Sequence, residues 1–466
     1  MVIINNLNSY DDYNNYFSIY LKNNSKLNKI IQNSKKHYIN DGDELLYYRK
    51  DINNIMTRNI YENSNLIIML NTILEQNMYA YCIKTQKKYI CEKIHKGKNN
   101  NSATFPEVAY HFNCSGDEFI LYFIWEYYNP IFIYYPKSNA IYNISYRPIN
   151  IEAYFSKTLN KYNLLHKIDF SKTYYFENNS INYFIGLTPN AGHYFWNEVL
   201  GLMFIIENNL LESIDKIIID KYDFLGIGSI LKNKYNKTVL YNNSNNIFGV
   251  NISKHFIHDN LITIFKGFYN LCDKNKQDKD SIDIVFDLRS NSRVWLNQEI
   301  FMNNIIHKLN TNKKINFYIS GVYTCKDLNK GQLTNIFNYN NEYSMQMKVF
   351  NRIQSNFSHC KIYNLIGKNL SELIFLSEKF DIIIANLGSG ISFFSSLIFN
   401  TNIIGLTNNI SHDSFHEQKY CFENILSNSK FIDKKYITDN TKTGDFKLNS
   451  PVLIDNLYEI INKNSL

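Results

Sequence analysis

Four short stretches of this 466-residue chain combine residue types that could do chemistry. The first is DIIIANLGSGISFF, residues 381–394, in which an apolar run reaches Asn386 and the Gly388-Ser389-Gly390 turn leads into residues of helical spacing. Where a glycine turn opens a helix, free backbone N–H groups and the helix dipole favour an anion such as a phosphate. The same two glycines would also serve a tight strand-to-helix turn that needs positive φ and holds nothing. No Gly-Lys-Ser/Thr follows, which excludes a P-loop, and the third glycine and distal acid of a dinucleotide fingerprint are missing. The pair Gly226 and Gly228 lacks a third glycine in the same way.

The second stretch holds Arg289 and Arg293, two of only six arginines, just past the apolar run SIDIVF. A guanidinium offers a planar fork for phosphate oxygens that an ammonium cannot match, although an ion pair with Asp287 would use the same residue types. The third, TPNAGHYFWNEVLG at 188–201, puts Asn190, Gly192 and His193 in a strand-to-helix loop. His193 can act as a general base near neutral pH, and Glu198, about one helical turn later, is the competing base. The fourth, NNISHDSFHEQ at 408–418, spaces His412 and His416 as i, i+4 near Asp413 and Glu417. A solvated loop would use the same residues; as a binding site, the spacing fits contact with a ligand phosphate or sugar better than a metal, since no third ligand is evident. No metal is expected. The acidic triplets at 41–43 and 278–280 follow no buried strand and are set aside.

The elements that must position these residues are an alternation of strands and helices. SIDIVFDLR, INFYISG, KIYNLIG, DIIIANLGSG and NIIGLTN read as strands, with NQEIFMNNIIHKL, SELIFLSEKF and ISFFSSLIF as helices between them. Such alternation with short connections predicts a parallel sheet with right-handed crossovers, whose ligands bind at the carboxyl ends of the strands. Residues 276–466 are therefore expected to form a Rossmann-like nucleotide-binding domain, closed by the helix in PVLIDNLYEIIN. INYFIGLTP, HYFWNEVLGLMFIIENNLL, KIIID, KTVLY and KHFIHD continue the pattern and predict a second Rossmann-like domain over 161–275. Residues 1–160 read as an accessory region, helical at first and then β-rich, with FILYFIWEYY and PIFIYYPKSNAIYNISYR as hairpin strands around a Pro-Lys-Ser-Asn turn. The fold class is α/β.

Composition excludes several function classes. The excess of Asn, Ile, Lys and Tyr beside 17 Gly and 6 Pro is a codon-like bias, so neither the Asn content nor the 37 tyrosines argues for phase separation or a stacking surface. A net charge of +7 spread as single lysines suits small anionic ligands or peripheral association with a membrane, and no nucleic-acid partner is expected. Seven scattered cysteines point to a reducing compartment. With no apolar run near 18 residues and no leader-like N-terminus, a cytoplasmic location, extending to the inner face of the membrane, is expected.

Residues 364–406 resemble the nucleotide-sugar-binding half of two-domain glycosyltransferases of GT-B fold. Two families share a glycine turn after a buried strand here, then an apolar helix and another strand. These are the xylosyltransferase and O-linked N-acetylglucosaminyltransferase family and, more distantly, the lipopolysaccharide heptosyltransferases. The first fits Gly388 to Ser392, and its histidine-aromatic motif is similar to Gly192-His193-Tyr194. Leu387 and Phe393 stand where histidine or acidic residues are usual, so no donor sugar is carried over. The resemblance implies an inverting, metal-independent glycosyltransferase of polysaccharide biosynthesis, taking a nucleotide-sugar donor as substrate, a glycan or glycoconjugate acceptor and no cofactor. His193 or Glu198 would be catalytic, and Arg289, Arg293, Asn386, Gly388, Ser389, Gly390 and His412 would hold the donor. A nucleotide-sugar epimerase or hydrolase, or a non-catalytic scaffold of glycan assembly, could use the same fold.

Overall fold

A computed structural model describes residues 3–6, 10–39, 64–97, 107–114, 116–124, 129–144, 165, 167–176, 180–186, 194–220, 222–241, 247–252, 259–271, 281–290, 294–309, 315–324, 339–386, 401–406, 430–432, 434–439, 445–448, 451, 454, 455, 457 and 458. These fall into two compact units, one holding the described residues up to 261 except 223–227, the other holding 223–227 and those from 262 onward.

The first unit begins with β1 (Ile3–Asn6) and helices α1 (Tyr10–Asn23), α2 (Ser25–Ile39) and α3 (Ser64–Glu75). In α3 the run from Leu66 to Leu70 is buried without a break, as expected of a helix enclosed on every side. An antiparallel meander follows: β2 (Tyr79–Tyr81), β3 (Lys88–Lys96), β4 (Val108–Cys114), β5 (Asp117–Ile124), β6 (Asn129–Tyr135) and β7 (Ala140–Asn143). Its order is β1-β7-β6-β5-β4-β3-β2, with β1 added in parallel to β7. The expected Pro-Lys-Ser-Asn turn joins β6 to β7, where Asn139 adopts φ +50°. Aromatic side chains fill the meander, as in the stacked pair Tyr122 and Phe132 with centroids 4.6 Å apart.

A second sheet of this unit is parallel: β8 (Tyr183–Ile185), β9 (Lys216–Ile219) and β10 (Thr238–Tyr241), in the order β10-β9-β8. Helices α4 (Leu200–Glu207) and α5 (Ile227–Tyr235) follow β8 and β9; α6 (Asp259–Tyr269) comes after β10 in the chain, and from Ile262 it belongs to the second unit. Residues 247–252 run parallel beside β8, where the Val250 N–H donates to Asn182 O at 2.7 Å and the Phe184 N–H to Val250 O at 2.8 Å. With that segment the order becomes third, second, first, fourth. Helix α4 lies directly on it, because a Cβ on Gly201 would come within 1.6 Å of Ile252 O. Lys96 ties the meander to this sheet, its ammonium 4.4 Å from the ring centres of both Tyr174 and Phe184.

In the second unit β11 (Ile282–Asp287), β12 (Ile315–Ser320), β13 (Lys361–Asn364), β14 (Ile382–Asn386), β15 (Asn402–Leu406) and β16 (Lys430–Phe431) form one parallel sheet in the order β13-β12-β11-β14-β15-β16. Ile284, Val285 and Phe286 are all buried although alternate residues face opposite sides, the mark of a parallel strand covered on both faces. Helix α7 (Gln298–Leu309) buries Phe301, Met302, Ile305, Ile306 and Leu309, one stripe at helical spacing. Helices α8 (Tyr339–Asn356) and α9 (Leu370–Ser377) complete the set, α9 starting at Asn369, whose side chain accepts from the Ser371 N–H. A small antiparallel pair, β17 (Ile437–Asp439) and β18 (Phe446–Leu448), follows. The final segment packs on this unit's core through Ile454 and Leu457.

Candidate functional site

Strand order decides where a ligand can enter the second unit's sheet. The chain builds outward from β11 to β12 and β13, then returns to the other side of β11 with β14. Open parallel sheets bind ligands outside the strand carboxyl ends at such a reversal, where the loops on either side part. The register sets Asp287 beside Ala385, so Asn386 lies level with the first residue after β11. Two of the sequence-derived candidates, Arg289 and Asn386, thus stand at the ends of the two strands that flank the reversal.

Arg289 is half-buried, and burial lowers its guanidinium from the ordinary arginine range while Asp287 and Glu342 pull the other way. Asp287 is itself buried and accepts from Tyr323 Oη at 3.1 Å. The backbone of Arg289 is held on both sides by Gln298: the Arg289 N–H donates to Oε1 at 3.3 Å, and Nε2 donates to Arg289 O at 3.2 Å. Gln346, nearly fully buried in α8, accepts from the Val322 N–H at 2.9 Å and donates to Ser290 Oγ at 3.1 Å. Gly321 permits this approach, since a Cβ there would come within 2.0 Å of Gln346 Oε1. Neither glutamine stands out in the sequence, because an amide has no chemistry of its own. Helix α8 has little sequence signal for a related reason, its apolar stripe being thin.

At the end of β8 in the first unit the second candidate base, Glu198, has no exposed surface. It lies in a π-helical turn, Tyr194–Val199, and such widened turns recur at functional sites. Its carboxylate accepts from the Gly186 N–H, and its backbone carbonyl accepts from Tyr183 Oη at 3.2 Å. Gly186 has φ +82°, and a Cβ there would meet Tyr222 O at 2.5 Å, so only glycine suits the position. Glu198 therefore secures the point where the chain leaves β8 for the loop expected to carry His193. Gly226 and Gly228 have structural roles as well: Gly226 turns at φ +65°, the Asp223 carboxylate accepts from the Ile227 N–H at 2.8 Å, and Gly228 lets α5 approach Tyr241 and Ile219.

A cleft of about 550 Å³ opens elsewhere, in the meander, and its lining holds none of the residues singled out from sequence. It includes His111, whose Nδ1 lies 2.6 Å from Glu118 Oε1. The His111 ring meets His95 edge to face at 4.9 Å, and His95 Nδ1 lies 3.0 Å from Lys172 O. Burial first, then the neighbouring His111, lowers His95 to about 4; His111 is also lowered by burial, against the opposing pull of Glu118. Among the described residues no group of three or more His, Cys, Asp or Glu is arranged to hold a metal, and no helix is long and apolar enough to cross a membrane.

His193, Arg293, the Gly388-Ser389-Gly390 turn and His412 lie outside the described residues, as do Asn190, Gly192 and His416. What is brought to one sheet edge is Arg289, Asp287, Tyr323 and Asn386, with Glu342 and Gln346 behind them.

No protein-family model matches the chain, and no curated protein matches it. Among solved structures, the E. coli ADP-heptose lipopolysaccharide heptosyltransferase II aligns at 11% identity over 47% of this chain and 56% of its own, with a TM-score of 0.28. The chain thus spans little more than half the length of that enzyme. A trehalose-6-phosphate synthase, studied for glycosyl transfer with retention, aligns at 12% over 55% of this chain and 60% of its own, TM-score 0.25. TarM aligns at 12% over 79% and 73%, TM-score 0.24.

Proposed function

We propose that the protein is a glycosyltransferase that moves a sugar from a nucleotide-sugar donor to an acceptor hydroxyl of a glycan or glycoconjugate, by inversion and without a metal. The observation that carries this reading is the sheet reversal between β11 and β14, with Arg289 after one strand and Asn386 ending the other, two positions before Gly388 in the sequence. Both parallel sheets run third, second, first, fourth, and we read them as the two Rossmann-like halves of a GT-B enzyme.

In this reading the donor diphosphate rests against Arg289, Arg293 and the start of the helix that the sequence leads one to expect after Gly390, with His412 nearby. The acceptor oxygen attacks the anomeric carbon as the bond from that carbon to the phosphate oxygen breaks. His193 takes the hydroxyl proton, and the departing diphosphate carries away the electron pair. Charge grows on the leaving group during this step, so donors fixed in advance around it lower the barrier most. Asp287 and Glu342 would hold the guanidinium of Arg289 in place before the donor arrives. Glu198, buried against Gly186, is given the role of anchoring the His193 loop.

The test is a thermal-shift and calorimetric screen of UDP, GDP, ADP and CDP against the full chain. At least one should stabilise it, and Arg289→Ala should reduce that shift; no shift with any of them, or an undiminished one in the variant, would sink the donor site. Consumption of a nucleotide sugar with no acceptor present would point instead to a hydrolase or epimerase.

A further inference from the structure

Three consecutive residues after β11 are held by side-chain amides from two helices. Gln298, first residue of α7, grips both the N–H and the C=O of Arg289. Gln346, in the second turn of α8, bonds Ser290 Oγ at 3.1 Å and reaches toward Leu288 O at 3.4 Å, while its oxygen takes the Val322 N–H at the end of β12. The helices are themselves joined by the two-pronged pair of Arg352 and Glu299, with N–O distances of 2.8 and 2.6 Å. Burying a carboxamide is unfavourable unless its donors and acceptor are satisfied. The amide of Gln346 has its partners in the loops at the strand ends, and Gly321 keeps the space its oxygen needs.

We infer that Gln298 and Gln346 form a clamp that holds the Leu288–Ser290 loop and so aims Arg289, which makes both of them positioning residues for anion binding at the β11 end. The inference rests on the donor-site reading given above. Long side chains at strand ends are otherwise free to rotate, and a guanidinium aimed beforehand loses less freedom when a diphosphate binds.

The clamp is tested by measuring affinity for the best-stabilising nucleoside diphosphate in Gln346→Ala, Arg289→Ala and the double variant, with hydrogen exchange on each. Gln346→Ala should weaken binding about tenfold and speed amide exchange at 288–290 and at Val322 while the remaining sheet amides keep their protection. In the Arg289→Ala background the same change should alter affinity less than twofold, because the residue being aimed is gone. Full additivity, or wild-type affinity in Gln346→Ala, would overturn the inference. Should Gln346→Ala fail to fold, Gln346→Met keeps the side-chain length but removes both the acceptor for Val322 and the donor to Ser290, and the same loss is expected. If the wild-type protein binds no nucleoside diphosphate, the donor reading fails by itself. The exchange experiment then decides the clamp, and unchanged protection at 288–290 would refute it.

Discussion

The two parallel sheets open in the same order yet secure the end of their first strand by different chemistry. In the first unit a buried carboxylate, Glu198, accepts the backbone N–H of Gly186, only twelve positions away in sequence. In the second, neutral amides do the work, one nine positions from its partner and one 56 positions away from Ser290. A buried carboxylate gives a stronger bond but leaves little room for error, because a charge without its partners is far costlier to bury than an amide. The first anchor is built into its own strand-turn-helix unit. The second exists only after two helices have settled on the sheet.

That contrast can be broken most directly at Glu198. Replacing it with Ala should cost about 4 kcal/mol, the sum of a charge-assisted bond and an unfilled cavity. Glu198→Gln, which retains an acceptor, should cost closer to 1 kcal/mol. Urea unfolding followed by hydrogen exchange at Gly186 measures both, and a loss below about 1 kcal/mol in Glu198→Ala would show that the carboxylate is no anchor.

Acid should separate the units next. His95, beside His111, Lys93 and Glu118, is held at about 4 in the folded chain, so the unfolded chain takes up its proton first as pH falls through the ordinary histidine range near 6.5. The stability this contributes is complete above about 6.5 and is lost on the way down to 4. At about 1.4 kcal/mol per pH unit the decline is on the order of 3 kcal/mol, and it should appear in the exchange rates of β3, β4 and the 167–174 segment before the second unit's sheet. His95→Asn should flatten the decline, and an unchanged pH profile in that variant would remove His95 as its source. The smallest effect belongs to Arg352→Ala: the Arg352–Glu299 pair is exposed, so unfolding should shift by no more than about 0.5 kcal/mol despite its good geometry.

Much of the fold could be read from sequence, and the reason is local. Buried parallel strands are apolar runs, so SIDIVF, INFYIS and DIIIAN announce themselves, and their spacing implies a sheet. The extended segment at 247–252 did not, since Gly249 interrupts IFGVNI; that glycine is required because a Cβ there would lie 2.7 Å from Asn182 O. The polar stretch of α8 hid a helix whose apolar contacts are few, Met347, Phe350 and Ile353 among them. The placement of Arg289 and Asn386 at strand ends could be read from the apolar runs that precede them. The burial of Glu198 could not, because it depends on how a π-helical turn rotates one side chain inward. Gln298 and Gln346 matter only through partners that the sheet brings near, and no local pattern carries that information.

The sheet reversal has a consequence during synthesis. β11 pairs with β12 within about thirty residues, but its other side must wait for β14, as the bond from the Asp283 N–H to Asp381, 98 positions on, makes plain. At the roughly 5–20 residues per second of a translating ribosome, that interval lasts on the order of 5–20 s. Throughout it the buried stretch Ile284–Phe286 of β11 has a bare edge able to pair with any other chain in the same state.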